Sequence, residues 1–455
     1  MQEPGVSLRQ LPSVEAVAGD PRLAGLGLAP TYLRRAVRRL IADERRRILA
    51  GGARTDAVAD GIIADLISTF GRDDPRVINA TGILIHTNLG RGAVSRAAAT
   101  AMATAASSWV ALEVDPASGR RGDRQRRVGR LLQALTGCEA ALVVNNNAAA
   151  LLLVVATMAS GKDAIVSRGE AVEIGGGFRL PDVLRQGGAR LVEVGTTNRT
   201  YARDYDEACS DATGMLLKVS SGNFVMTGYT HATTVPELAG IGARHSVPVV
   251  EDQGDGLLDR LDVAGLDPGR SLTDSLAEGA DVVTASGDKL LGGPQCGLIL
   301  GRADLVGQIA RQPLARALRV DKVTLAGLEA TLQHYLRGEA QRDIPLWRMA
   351  ATPTEELRER AKRIVTRLGD RSHCDVVAST ASFGGGALPG QSLPGWSVRV
   401  RPVGGESVDR LAAQLRQGTP GLWGRIEQGR VLLDLRTVLP EDDETIIRTL
   451  AAGMD

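Results

Sequence analysis

Between residues 30 and 52 the apolar positions fall at three- and four-residue spacing, with Leu33, Val37, Leu40, Ile41 and Ile48 forming one stripe. That period predicts an amphipathic helix, capped by Thr31 behind Pro30 and stopped at Gly51-Gly52. From about residue 77 the pattern changes to short apolar runs that end in Gly, Asn or Asp and are separated by helix-like stretches. "AALVVNNNAAALLLVVATMASG" reads as strand, turn and buried helix, while "AIVSRGE", "GMLLKVSSGN", "VPVVEDQGDG", "ADVVTASGDK" and "GLILG" read as further strands. This alternation predicts an α/β domain on a largely parallel sheet, whose ligands gather at the carboxyl ends of the strands. Beyond about residue 340 the helix-like "TPTEELRERAKRIVTRLG" leads to strand-like "WSVRVRPV" and "RVLLDLRTV", the pattern of a smaller α+β domain. Between them "FGGGALPGQSLPG" reads as a flexible turn region. The expected organisation is a helical domain over 1–70, an α/β domain over 71–340 and an α+β domain over 341–455.

Composition narrows the function classes. At 455 residues and 43% hydrophobic content the chain can bury a large core, and its formal net charge of +1 means that any polyanion must be met by a local patch. One patch stands out: the polar face of the first helix carries Arg34, Arg35, Arg38, Arg39, Arg45, Arg46 and Arg47, offset only by Asp43 and Glu44. Such a band is either a solvated face or a nucleic-acid grip. The 4 cysteines stand far apart, with no C-x-x-C pair and no His cluster at ligand spacing, so neither a disulfide framework nor a metal site is expected. The N-terminus lacks a basic and apolar leader and no stretch is long enough to span a bilayer, which points to a cytoplasmic protein.

Three local features suggest chemistry. Lys289 in "TASGDKLLGGPQCG" follows a buried strand and sits among glycines that let backbone approach a flat ligand, with Ser286 close by. It is either an exposed loop lysine or an imine-forming amine of the kind that holds pyridoxal phosphate (PLP). Asp252 ends the strand "VPVVED" upstream, where a carboxylate either caps a turn or stands beside a pyridine nitrogen; Glu251 alternates to the opposite face. The turn Asn145-Asn146-Asn147 runs into the small-residue start of a helix, whose free N–H groups suit a phosphate. Arg91 lies between glycines in "HTNLGRG", and Arg316 and Arg319 share a helix face in "RQPLARALRVDK". Planar guanidinium forks are suited to phosphate-like anions.

Taken together the motifs resemble one family, the bacterial selenocysteine synthases or L-seryl-tRNA(Sec) selenium transferases. The resemblance rests on "LPSVEAV", "VINATGILIHTNLGRG", "LVVNNNAAALLL", "VSRGEAVEIGGGFRLPDV", "EVGTTNRT", "SGDKLLGGPQCGLILG", "LARALRVDKVTLAGLEATL" and "GRIEQGRVLLDLR", which span nearly the whole chain. It implies an aminotransferase-like, fold type I PLP domain with a small C-terminal α+β domain and an N-terminal helical domain. It also implies that Lys289 holds PLP, that Asp252 pairs with its ring nitrogen, and that Ser286 with Asn146, Asn147 and Ala148 holds its phosphate. Arg91, Arg316 and Arg319 match the family's arginines for selenophosphate, and Asp288 matches an aspartate near the reacting serine. By the same resemblance the N-terminal arginines Arg34, Arg35, Arg38, Arg39, Arg45 and Arg46 grip tRNA(Sec) charged with serine. The chain then assembles as a ring of dimers, a decamer in the family, and makes selenocysteinyl-tRNA(Sec) through an aminoacrylyl-tRNA intermediate.

The chain departs from the family pattern in two places. "VHTSNY" is replaced by "VSSGNF", which puts Ser220, Gly222 and Phe224 where His, Ser and Tyr stand, and "DQGDG" adds Asp255 beside Asp252. Two other readings remain open from the residues alone: a PLP lyase of the same superfamily acting on a small amino acid or amino-sugar acid without RNA, and an inactive RNA-binding scaffold.

Overall fold

In the computed structural model the chain divides into two units, residues 1–76 and 77–455. The structure describes residues 11–51, 57–71, 76–369 and 373–452, so residues 1–10 and 52–56 of the expected helical domain lie outside the described residues.

The first unit is helical. Its long helix, Pro30–Leu49, starts with Pro30 in the first turn and has Ala29 at the cap position without a side-chain bond. Thr31 is therefore inside the helix rather than its cap, because proline's fixed φ already sets the first turn. Val37, Ile41 and Ile48 are the buried positions of the helix, as the apolar stripe requires. Val37 and Ile41 meet Val17, Leu23, Ile62, Ile63 and Leu66 from the segments around it, including helix Val58–Phe70, in one small core.

Among the described residues the second unit carries fourteen strands: β1 (Val77–Ala80), β2 (Ala140–Val144), β3 (Asp163–Ser167), β4 (Glu173–Ile174), β5 (Phe178–Arg179), β6 (Arg190–Val194), β7 (Thr213–Val219), β8 (Val249–Gly254), β9 (Val282–Ser286), β10 (Gly297–Gly301), β11 (Cys374–Ser382), β12 (Ser392–Val400), β13 (Gly421–Glu427) and β14 (Arg430–Asp434). Seven of them form a sheet in the order β2-β10-β9-β8-β7-β3-β6. The pairs β8–β9, β7–β8, β3–β7 and β3–β6 are parallel, while β10 runs against both β9 and β2. Two reversals restore the direction, so β2 points the same way as β9. The carboxyl ends of β2, β7, β8 and β9 therefore gather on one edge, where ligands of such sheets bind.

Residue alternation decides what each face of the sheet meets. Val250, Val282 and Ile299 enter the core built on helix Asn147–Met158, whereas Val283, Ala285, Leu298 and Leu300 enter the core that holds Trp347 and Phe383. Both faces are covered, which is why these strands read as continuous apolar runs.

A five-stranded sheet, β1-β13-β14-β12-β11, packs under helices Thr354–Leu368, Val408–Gln417 and Asp443–Ala452. Its edge strand β1 comes from the start of the unit and pairs in parallel with β13. The segment expected to open the α/β domain thus belongs to the smaller sheet, a pairing across most of the chain that local pattern cannot signal. The following residues continue along that sheet, with the N–H groups of Leu84 and Ile85 donating to the carbonyls of Ser382 and Phe383. Segment 82–91 and the Gly-rich loop after Phe383 are in this way brought side by side.

Candidate active site

The edge of the large sheet opens into a cleft of about 1130 Å³. Four of its walls are strand ends or their continuations: Val219 and Ser220 at the end of β7, Asp252 to Gly254 on β8, Ser286, Asp288 and Lys289 at the end of β9, and Asn146 to Ala148 after β2. The Gly90–Gly92 segment and the Gly385-Gly386 loop line it as well.

Lys289 is held by its backbone. The Gly292 N–H donates to the Lys289 carbonyl at 2.9 Å and the Leu290 N–H to the Asp255 carbonyl at 2.9 Å, while Leu290 and Leu291 are fully buried. The side chain is 8% exposed, and Nζ donates to the Gly386 carbonyl at 3.3 Å. Burial of the ammonium pushes the Lys289 pKa below the ordinary lysine value; Asp252 and Asp255 oppose this and Arg91 adds to it. The shift makes the neutral, nucleophilic form of this amine easier to reach than in a solvated lysine.

Asp252 and Glu251 separate as alternation predicts. Glu251 is fully buried on the other face and pairs with Arg270 at 2.7 Å. Asp252 faces the cleft, where Oδ1 accepts from Asn147 Nδ2 at 2.7 Å and from Thr284 Oγ1 at 2.9 Å. Burial raises its pKa, partly offset by those two donors and by Lys289. Both bonds land on Oδ1, and Asn147 Oδ1 beside them is buried without a hydrogen-bond partner. This corner of the cleft therefore has acceptor capacity and lacks a donor.

The asparagine turn divides its work. Asn146 caps helix Asn147–Met158, its Oδ1 accepting from the Ala149 N–H at 2.9 Å. The Asn147 side chain serves Asp252, which leaves the N–H groups of Asn147 and Ala148 at the open end of the helix, with Ser286 also in the lining. A helix N-terminus with free donors is an anion site by construction.

Arg91 adopts φ 73°, a left-handed conformation rare for a residue with a side chain, and its Nη1 lies 2.5 Å from Asp288 Oδ1. Both line the cleft next to Lys289. Arg316 and Arg319 are not in the cleft of this chain. Arg319 pairs with Glu113 at 3.3 Å, and Arg124, part-buried with an unpartnered Nε, reaches the same Glu113 at 3.7 Å. Burial, together with the charges of Arg319 and Arg316, lowers the Arg124 pKa. The structure thus gathers a second basic group, to which sequence reasoning had not assigned Arg124.

Sequence reasoning also missed Gly386, whose carbonyl accepts from Lys289 and whose segment had read only as a flexible turn. The departure at Gly222 has a packing reason: a Cβ there would stand 2.3 Å from the Gly386 oxygen. Ser220 and Gly222 line the cleft, whereas Phe224 lies outside the lining. Asp255, the added carboxylate, is half-buried, and desolvation pushes its pKa up to about 6.

On the first unit, Arg34 pairs with Glu15 at 3.0 Å, Arg46 with Asp43, and Arg47 with Glu44 at 2.5 Å. Arg35, Arg38, Arg39 and Arg45 are exposed and have no ion-pair partner among the described residues.

A protein-family model described as L-seryl-tRNA selenium transferase matches residues 77–439. The L-seryl-tRNA(Sec) selenium transferase of Moorella thermoacetica is 43% identical, the match covering 98% of this chain and 97% of that protein. The protein of the same name from Geobacter sulfurreducens is 45% identical over 92% of this chain and 93% of its own. Among solved structures, D-glucosaminate-6-phosphate ammonia-lyase superposes with a TM-score of 0.59 at 23% identity, covering 86% of this chain and 98% of that one, a likeness of fold.

Proposed function

The chain belongs to the L-seryl-tRNA selenium transferase family, and from that premise we propose that its cleft converts L-seryl-tRNA(Sec) to L-selenocysteinyl-tRNA(Sec), with PLP as cofactor and selenophosphate as selenium donor. The observation that carries the reading is the convergence of a buried amine, a buried carboxylate and an open helix N-terminus in one cleft. These residues fit PLP. The orphaned Asn147 Oδ1 and the free side of Asp252 answer a ring N–H donor, and the Asn147 and Ala148 N–H groups with Ser286 answer a phosphate.

When bound, PLP supplies an electron sink for the charge left on a carbon next to the amine. Lys289 would hold the cofactor through Nζ and, as a free amine, would take the proton from the serine Cα. Its depressed pKa keeps a share of the amine neutral for that step. Asp252, its carboxylate oriented by Asn147 and Thr284, would keep the ring nitrogen protonated. Asp288, bound to Arg91, stands next to Lys289 and would orient the serine side chain, whose hydroxyl would leave as water with the proton that Lys289 took from Cα. Arg91 attracts the selenophosphate anion to that side of the cleft.

Arg316 and Arg319 stand outside this cleft and serve the cleft of a partner subunit in a homo-oligomer, a ring of dimers. Mixing Lys289→Ala chains with Arg316→Ala chains then restores activity in the mixed particles, and no restoration argues for separate sites. Arg35, Arg38, Arg39 and Arg45 bind tRNA backbone phosphates, with Arg34 and Arg46 beside them. No described helix is long and apolar enough to cross a membrane, which is consistent with work on tRNA in the cytoplasm.

The deciding assay supplies PLP-loaded protein with seryl-tRNA(Sec) and selenophosphate and measures selenocysteinyl-tRNA(Sec). No product from properly charged tRNA refutes the reading, and turnover of a small amino acid without RNA would favour the lyase.

A further inference from the structure

His334, in the last turn of helix Lys322–Leu336, is 7% exposed. Its Nε2 lies 3.0 Å from Ser95 Oγ, whereas Nδ1 is buried with no hydrogen-bond partner. That orphaned nitrogen faces Glu339 Oε2 at 3.5 Å and Asp343 Oδ2 at 3.6 Å. Hydrogen bonds from nitrogen to oxygen span about 2.7–3.2 Å, so both contacts are too long to satisfy it. They match the spacing of two ligands on one cation: bonds of about 2.0–2.2 Å at a tetrahedral angle put ligand atoms about 3.4 Å apart. The three ligand atoms all lie within 4.8 Å of one another.

We propose that His334 Nδ1, Glu339 and Asp343 form a site for a zinc-type divalent cation, with the fourth position open to water. One imidazole and two carboxylates suit zinc better than calcium or magnesium, which prefer oxygen ligands alone. Ser95 supplies the support behind the ligand. By accepting from Nε2–H it leaves the lone pair on Nδ1, and its hydroxyl oxygen also accepts from the Ala98 N–H as the cap of helix Arg96–Ser107. The site thus ties the helix end at His334 to Glu339 and helix Ala340–Asp343, and through Ser95 to the segment that runs from Arg91 and Val94 of the cleft.

Arg342 is the competitor. Its Nε and Nη2 donate to Asp343 at 2.8 Å each, and Nη2 lies 3.3 Å from Glu339 Oε1. The side chain is 70% exposed, so it holds the carboxylates weakly and yields to a dication.

The test uses full-length, PLP-loaded protein stripped of metal and titrated with Zn²⁺ by calorimetry, then with Co²⁺ by visible spectroscopy. One equivalent binds per chain, Tm rises with Zn²⁺, and Co²⁺ shows the d–d bands of a tetrahedral nitrogen and oxygen site. His334→Gln and Asp343→Asn each weaken binding by about 100-fold or more, beyond the loss typical of groups behind a ligand. Arg342→Gln strengthens binding by removing the competitor. If His334→Gln does not fold, Asp343→Asn carries the test, since it leaves the buried imidazole in place. Binding that survives both ligand variants places the ion elsewhere and overturns the proposal. So does an absence of binding or Tm change up to about 1 mM Zn²⁺, the result expected if an imidazolium simply neutralises the two carboxylates.

Discussion

The arginine helix of the first unit and the cleft of the second handle charge in opposite ways. On helix Pro30–Leu49 most of the arginines sit in water, several with no ion-pair partner among the described residues. Lys289 and Asp252 in the cleft, and Asp255 behind it, are withdrawn from water, and burial pushes the lysine pKa down and the aspartate pKa values up. Exposed charges act together, at a distance and under screening by salt. Buried ones act singly, through protonation state and contact. Under the proposed function, the chain separates recognition of a large anion from chemistry on a small carbon centre by where it allows charge to be hydrated.

That contrast can be broken by experiment. Lys289→Ala removes the amine proposed to hold the cofactor and move the proton, so turnover falls by about 10⁴-fold or more while tRNA retention on filters is unchanged. A variant that keeps substantial turnover would place the chemistry elsewhere. Asp252→Asn keeps the bonds from Asn147 and Thr284 but removes the charge, and kcat falls by about 10²–10³-fold, again with tRNA binding intact.

Asp255 tests the effect of burial directly. Its pKa rises from 3.8 unfolded to about 6 folded, so the folded state binds the extra proton between those values and loses stability as pH rises through that window. PLP-free Asp255→Asn protein therefore matches wild type near pH 4 and is more stable above pH 6, by up to about 3 kcal/mol. Thermal unfolding from pH 4 to 8 reads this, and parallel curves for the two proteins would show that the carboxyl is not held protonated by burial.

The smallest effect belongs to the exposed side. Replacing Arg35, Arg38 and Arg39 together by Ala weakens tRNA binding by about ten-fold and makes the plot of log K against log salt shallower by about 2–3. The rate at saturating tRNA stays the same. A drop in that rate, or an unchanged salt slope, would dissolve the division between the two regions.

Much of the cleft was legible because strand ends are local events. The runs before Asp252, Ser286 and Asn145 carry apolar residues and then stop at a polar one, and alternation alone sent Glu251 and Asp252 to opposite faces. Other parts had no local signal. The pairing of β1 with β13, the hydrogen bond from Lys289 to the Gly386 carbonyl, and the meeting of Arg124, Arg319 and Glu113 join segments far apart in the chain. The same holds for Gly222, whose missing side chain makes sense only against the backbone of Gly386.

The amino-acid sequence by itself determined the periods of the elements, the order of strand ends, the chemical types available at them and the band of arginine on the first helix, because these depend on neighbours within a few residues. Tertiary structure alone decided which of those types share a cleft. It also decided which charges lose their water, and that His334 would be left with a buried nitrogen facing two carboxylates. Burial and close approach are properties of packed surfaces, and a side chain acquires its pKa and its partners only when the chain has closed around it.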